Sequence, residues 1–253
     1  MSKIPKIIHF IWVDFKNELN DNPIIPTKYL DNIKNTQLLN LDYKIKIWSG
    51  YKCDQFIKKY FPNKYKLYWD FKYPIQRCDY IRFIILYVYG GIYSDMDRYS
   101  VKSYNNILDK YNNSDVILGK IGYNIINNDI IFSKPLDDFI LKCINNITIY
   151  NFNYFFIDVC ATTGPIFLMK LYYTYDGPSK ITIITTEVNP CDLCNCNHKN
   201  MNNIISFTTL DNTWIDKTIN YSLLSTFFCN FYSILVGFII IFLLIIIYKK
   251  CKK

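Results

Sequence analysis

Alanine and arginine are nearly missing from this chain of 253 residues, which holds one Ala and three Arg beside 26 Lys. Eight Gly and nine Pro are too few for a collagen-like or linker-dominated chain. Nine Cys over this length are too thin for a disulfide scaffold. Only 20% of residues are charged and 51% are hydrophobic, which excludes wholesale disorder. The length allows one large domain or two small ones. The formal charge is +8, but Lys249, Lys250, Lys252 and Lys253 supply half of it, leaving +4 on the rest. That mild excess does not argue for nucleic acid.

Types with AT-rich codons are over-used, with 27 Asn and 23 Tyr beside the lysines, and this reads as compositional drift without functional weight. Scarcity says more. Arg77, Arg82 and Arg98 fall within 22 residues of one another. Where Lys is the default cation, an Arg points to a need for its planar fork.

Residues 227–248 read FFCNFYSILVGFIIIFLLIIIY and carry no charge. A helix of that length spans about 33 Å, enough for a hydrocarbon core of about 30 Å. A transmembrane helix over 227–248 with a basic tail at 249–253 is therefore expected, making the chain single-pass. The positive-inside rule places that tail in the cytosol and residues 1–226 on the other side. Sequons at Asn112, Asn146 and Asn220 are compatible with this lumenal or exoplasmic placement. The N-terminus shows no clear signal peptide, and a tail anchor inserted after synthesis would instead leave the domain in the cytosol.

Residues 1–220 read as one α/β domain. Strands are expected at Lys6–Val13, Tyr43–Trp48, Ile92–Ser94, Val116–Leu118, Ile130–Ser133 and Lys180–Thr185. Helices fit a stretch from Pro26 to Leu39, then Cys53–Tyr60, Pro74–Tyr89, Leu136–Tyr150 and Pro165–Tyr173, the last capped by Thr162 or Thr163. Gly90-Gly91 ends the Pro74–Tyr89 helix. Such alternation places a ligand site at the strand ends.

The densest chemical signal is QRCDYIRFIILYVYGGIYSDMDR, residues 76–98. Asp79 and Arg82 lie three apart on a helix and so share a face, with Ile81, Ile84, Ile85 and Val88 covering the other side. The Gly pair then leads into Asp95-Met96-Asp97. Two carboxylates at i and i+2 on an extended segment project to one side. Such a pair suits Mg²⁺ or Mn²⁺, with the remaining ligands from water and a substrate diphosphate. A nucleotide-sugar transferase requires this chemistry.

The block resembles the DxD-containing glycosyltransferases of family 32, which include inositolphosphoceramide mannosyltransferases and outer-chain-initiating α-1,6-mannosyltransferases. Asp79, Arg82 and Gly90-Gly91-Ile92-Tyr93-Ser94-Asp95-Met96-Asp97 match its signature position by position. Ile4–Trp12 is similar to its opening strand, and weaker matches are Asn127–Pro135, Thr163-Gly164-Pro165 and Asn212-Thr213-Trp214. The resemblance implies a GT-A-type fold and a retaining hexosyltransferase. It implies that Asp97 ligates the cation and Asp95 contacts ribose or cation. By the same resemblance Asp79 and Arg82 hold sugar hydroxyls, Trp12 packs beside the nucleotide base, Asn128 faces the site and Trp214 closes over the donor diphosphate. His9 reads as a hydrogen-bonded strand residue. A His that commonly precedes the Trp214 motif is absent, with Thr208 and Thr209 near its place.

The expected donor is GDP-mannose and the acceptor a glycolipid or glycan, at a secretory-pathway membrane. A UDP-sugar enzyme of the same fold and a degenerate, membrane-tethered glycan-binding scaffold are the alternatives. Cys191, Cys194, Cys196 and His198 form a separate cluster that reads either as disulfides or free thiols, or as a structural Zn²⁺ site.

Overall fold

The computed structural model describes residues 2–121, 125–185, 187–189 and 203–208. The apolar run near the N-terminus forms β1 (Ile7–Ile11), which pairs in parallel with β2 (Lys44–Trp48) and β3 (Gly91–Ser94). β6 (Ile125–Ser133) runs antiparallel to β3 and to β5 (Val116–Ile121), and β5 pairs in parallel with β7 (Ile181–Ile184). The central sheet has the order β2-β1-β3-β6-β5-β7. Outside it, β4 (Arg98–Ser100) pairs antiparallel with β8 (Ser206–Thr208).

Side chains alternate across each strand. Ile92, Ile130 and Phe132 therefore join one buried cluster, with Tyr29 and Ile33 of α1 (Thr27–Leu39) and Ile107 and Leu108 of α5 (Asn105–Lys110). Tyr93 and Ile131 join the opposite cluster, with Phe56 of α2 (Gly50–Tyr60), Tyr68 of α3 (Tyr65–Asp70), residues of α4 (Pro74–Tyr89) and Phe139 of α6 (Asp138–Asn145). Helix α4 is enclosed on every side: each residue from Gln76 to Leu86 is buried. A helix can be interior with four polar residues only if each is satisfied. Arg77 forks onto Glu18 at 2.7 and 2.5 Å and donates to the Phe71 carbonyl at 2.8 Å, while Gln76 accepts from the Tyr73 backbone N–H at 3.1 Å.

Several boundaries differ from expectation for local reasons. Helix α6 is shorter than Leu136–Tyr150, because Leu136 takes a positive φ of 54° and Asp137 caps the helix by accepting from the Phe139 and Ile140 N–H groups. Neither Thr162 nor Thr163 caps α8 (Pro165–Tyr173); Gly164 is its N-cap residue, and the Thr163 hydroxyl goes elsewhere. Phe155–Tyr173 is, among the described residues, the one stretch long and apolar enough to cross a membrane, yet half of it is buried. Thr163 and Gly164 also break it into α7 (Phe155–Thr162) and α8, each too short to span. The expected transmembrane run at 227–248, the tail at 249–253, Trp214 and the cluster at Cys191, Cys194, Cys196 and His198 all lie outside the described residues.

Candidate active site

The Gly90-Gly91 bend brings α4 back into the sheet as β3. Both glycines have positive φ, 61° and 96°. A Cβ on Gly90 would meet Pro135 at 2.7 Å, and one on Gly91 would meet the Ile7 carbonyl oxygen at 2.5 Å. Only glycine fits where strand, helix end and β1 come this close. His9 secures the same corner: its Nε2 donates to the Gly90 carbonyl at 3.0 Å and its Nδ1 accepts from the Trp48 indole at 3.2 Å. Burial pushes its pKa down to about 4, so it is a neutral strand residue.

β3 ends at Ser94. Asp95 donates its backbone N–H to the Asp129 carbonyl at 2.8 Å, and the chain then turns, with the Arg98 N–H reaching the Asp95 carbonyl at 3.1 Å. Asp95 and Asp97 thus sit on a turn between β3 and β4, a correction to the extended segment expected for them. Strand alternation cannot place both on one side there. Burial first, then the charges of Asp97 and Asp129, push Asp95 up to about 7 against the opposing pull of Arg82 and Tyr93. A carboxylate held that high beside like charge, with a third of its side chain exposed, suits a cation. The oxygen donors fit a hard divalent ion such as Mg²⁺ or Mn²⁺. Among the described residues no group of three or more His, Cys, Asp or Glu stands ready for a metal, so water and substrate oxygens would complete its shell.

Behind the turn lies a buried polar network on the α4 side of the sheet. Arg82 pairs with Asp79 at 2.6 Å, donates to the Asn128 carbonyl at 2.5 Å, stacks 4.3 Å from the Tyr93 ring centroid and lies 3.6 Å from Asp95 Oδ1. Asp79 also accepts from the Asn128 amide at 3.0 Å and from the Thr163 hydroxyl at 2.9 Å. Tyr93 donates its hydroxyl to Asp95. Burial raises the Asp79 pKa, and Arg82, Thr163 and Asn128 work against that rise. Burial alone would lower Arg82, but Tyr93, Asp79 and Asp95 raise it, so the guanidinium stays charged. Four expected site residues are therefore brought together: Asp79, Arg82, Asp95 and Asn128.

Trp12 joins them through α1. The register Ile8↔Ile92 and His9↔Tyr93 sets Trp12, just past β1, level with the acid turn just past β3. Tyr29 packs its ring 5.2 Å from that of Trp12, and one helical turn on, Asn32 donates to the carbonyls of Met96 and Arg98 at 2.9 and 2.7 Å. Asn35 and Thr36 extend this grip to Ser100. These residues were discounted or passed over in the sequence, although Asn32, Asn35 and Thr36 recur at helical spacing. Tyr93 lies inside the Gly90 to Asp97 signature and Asp129 inside the Asn127–Pro135 match, but neither had a role assigned from the sequence. Arg98, wholly enclosed, pairs with Asp129 and donates to the Val188 carbonyl at 2.6 Å and to Asn189 at 3.1 Å. It ties the acid turn to the chain near β8.

Acids, aromatic ring and polar network thus meet at the carboxyl ends of two adjacent parallel strands. Residues 26–114 match the family model described as the glycosyltransferase sugar-binding region containing a DXD motif. Asp79, Arg82 and the stretch from Gly90-Gly91 to Asp97 all lie within those residues. Among curated relatives, mannosyl phosphorylinositol ceramide synthase CSH1 of Saccharomyces cerevisiae is 30% identical over 174 residues, 68% of this chain and 43% of the relative. Inositol phosphoceramide mannosyltransferase 3 of Schizosaccharomyces pombe is 32% identical over 171 residues, 67% of this chain and 45% of the relative. The initiation-specific α-1,6-mannosyltransferase of Candida albicans is 29% identical over 119 residues, 43% of this chain and 31% of the relative. The chain spans less than half the length of these relatives. The solved PaToxG glycosyltransferase superposes with a TM-score of 0.50 at 19% identity, covering 67% of this chain and 69% of that one. That likeness shows the fold alone, a mixed α/β glycosyltransferase-like sheet.

Proposed function

We propose that this protein is a glycosyltransferase moving a hexose, mannose from GDP-mannose, onto a glycolipid or glycan acceptor with retention at the anomeric carbon. The observation that carries the reading is the acid turn of Asp95 and Asp97 at the end of β3, within the DXD-matching residues and level with Trp12 just past β1. The names of the relatives support mannose as the sugar and a phosphoinositol-ceramide type of lipid as one acceptor.

Asp95 and Asp97 would hold the Mn²⁺ or Mg²⁺, and a cation bound there neutralises charge that grows on a departing diphosphate. The chain's own groups do the rest. Trp12, buttressed by Tyr29, offers its ring to the nucleotide base. Asp79 and Arg82 bind sugar hydroxyls by exchanging one of their internal hydrogen bonds, while Asn128 holds both in register. Arg82 keeps its charge next to Asp95 and so steadies the carboxylate form of that acid. The uncharged run at 227–248 supports a secretory-pathway membrane location, where a lipid-borne acceptor would be at hand.

Calorimetric titration of the full chain with GDP-mannose and UDP-glucose, with and without Mn²⁺, tests this. Metal-dependent GDP-mannose binding is the expected result. Metal-dependent binding of UDP-glucose alone changes the donor and keeps the fold-level reading. Binding of neither leaves a glycan-binding scaffold. In addition, Asp97→Ala abolishes transfer without changing the thermal melt, and retained turnover in that variant rejects the metal assignment.

A further inference from the structure

A second cleft lies on the far side of the sheet edge. It has a volume of about 420 Å³ and opens between edge strand β2, helix α2 and the last turn of α4. Tyr89, which also lines it, directly precedes Gly90. The register sets Lys46 and Trp48 of the cleft level with His9 and Ile11 of β1, and β1 separates this β2 edge from β3 and the acid turn that follows it. Apart from Trp48, whose indole donates to His9, the cleft's lining shares no residue with the site described above.

Its chemistry is one-sided. Lys46, Lys52 and Lys59 line it together with Trp48, Tyr60 and Tyr89, and no carboxylate does. The Lys46 ammonium stands 3.6 Å from the centroid of the Tyr89 ring and 5.7 Å from that of Trp48, and Lys59 stands 4.9 Å from Tyr60. Among the described residues neither Lys46 nor Lys59 makes an ion pair, while Lys52 has a distant one, 3.8 Å from Asp21. Ring faces hold an ammonium in place but leave its charge uncompensated by any anion. Burial, then the like charge of Lys44, lowers the pKa of Lys46, as expected of a cation short of a counter-charge.

We infer that this cleft is a binding site for a phosphate monoester carrying a ring or short apolar group. The two ammonium groups without an ion pair among the described residues, Lys46 and Lys59, exceed what a single carboxylate can neutralise, whereas a phosphate monoester carries close to two negative charges. Lysine binds phosphate as a point charge and does not require a fixed fork. The tyrosine and tryptophan rings supply a face for the organic part of the ester. The volume fits one small ligand and is too small for a polymer. The ester is either a free metabolite or the headgroup of a phosphorylated lipid, since both present the same group.

The test uses the full chain, read by quenching of tryptophan fluorescence and by calorimetry. Phenyl phosphate is the probe, with inorganic phosphate and benzyl alcohol as controls. Phenyl phosphate should bind at least about tenfold more tightly than either control. The double variant Lys46→Gln/Lys59→Gln should weaken it at least about tenfold and leave Mn²⁺-dependent donor binding unchanged. Flotation with phosphatidic acid vesicles, against phosphatidylcholine vesicles, separates the two sources: capture by phosphatidic acid assigns the lipid headgroup, and absence of capture with phenyl phosphate binding intact assigns the free ester. Equal affinity for phenyl phosphate and inorganic phosphate, or undiminished binding by the double variant, overturns the inference. Because donor binding is read separately, this outcome is independent of whether the acid turn is catalytic.

Discussion

His9 makes the corner at Gly90 sensitive to acid, and the size of the effect follows from its surroundings. Both ring nitrogens are committed, one donating to a carbonyl and one accepting from an indole, and the ring is fully buried. Its pKa falls from 6.5 to about 4. The unfolded chain therefore takes up a proton below about pH 6.5 that the folded chain refuses until about pH 4, so stability is lost as the pH drops through that window. For these two values the loss between pH 7 and pH 5 is about 2 kcal/mol, approaching roughly 3 kcal/mol at pH 4. Asp95 runs the other way. Its raised pKa lets the folded state bind a proton from about pH 7 downward, so its contribution grows as the pH falls, and this must be subtracted. Comparison with His9→Gln does so, since Asp95 is common to both proteins. Urea unfolding of the two chains at pH 7 and pH 5 should show a gap that narrows by about 2 kcal/mol at the lower pH. An unchanged gap would mean that His9 carries a proton in the folded state or is solvated, and the tautomer assignment would be wrong.

Gly91→Ala drives a methyl group against the Ile7 carbonyl at a φ of 96° and should cost about 3 kcal/mol or more, seen as a lower urea midpoint. Thr163→Val removes one hydrogen bond to the buried Asp79 carboxylate at nearly constant shape; a loss of about 2 kcal/mol is expected, with Thr163→Ser close to the parent. Arg98→Met leaves Asp129 buried without its partner and should cost about 3–5 kcal/mol, part of which Arg98→Met/Asp129→Leu recovers. Failure of the second change to recover stability would show that Arg98 acts through its carbonyl partners, not through the charge of Asp129.

How much of this was legible depended on distance along the chain. The strand β1, the helix α4 and the Gly90-Gly91 break were readable because each rests on a local rule, an apolar run, a proline start or a backbone that only glycine adopts. The scarcity of arginine was also a true signal: Arg77, Arg82 and Arg98 are all buried and all use their forks. Asparagine misled by its abundance. Asn32 is indistinguishable in sequence from the many surface asparagines, yet it holds the acid turn, whereas Asn128 stood out only through the family resemblance and holds Asp79. The threonine at 163 looked like a helix cap because caps are local; its real partner is 84 residues away.

The sequence by itself determined which residues carry charge in a matched pattern, where the chain bends, and hence the family to which residues 26–114 are similar. Only the tertiary structure decided that Asp95 and Asp97 lie on a turn, that Arg82 is already held by four neighbours, and that a lysine-lined cleft opens at the β2 edge. The reason is physical. Periodicity and backbone sterics act over a few residues and leave a trace in the letters, whereas desolvation and pairing depend on which distant segments the sheet order brings side by side.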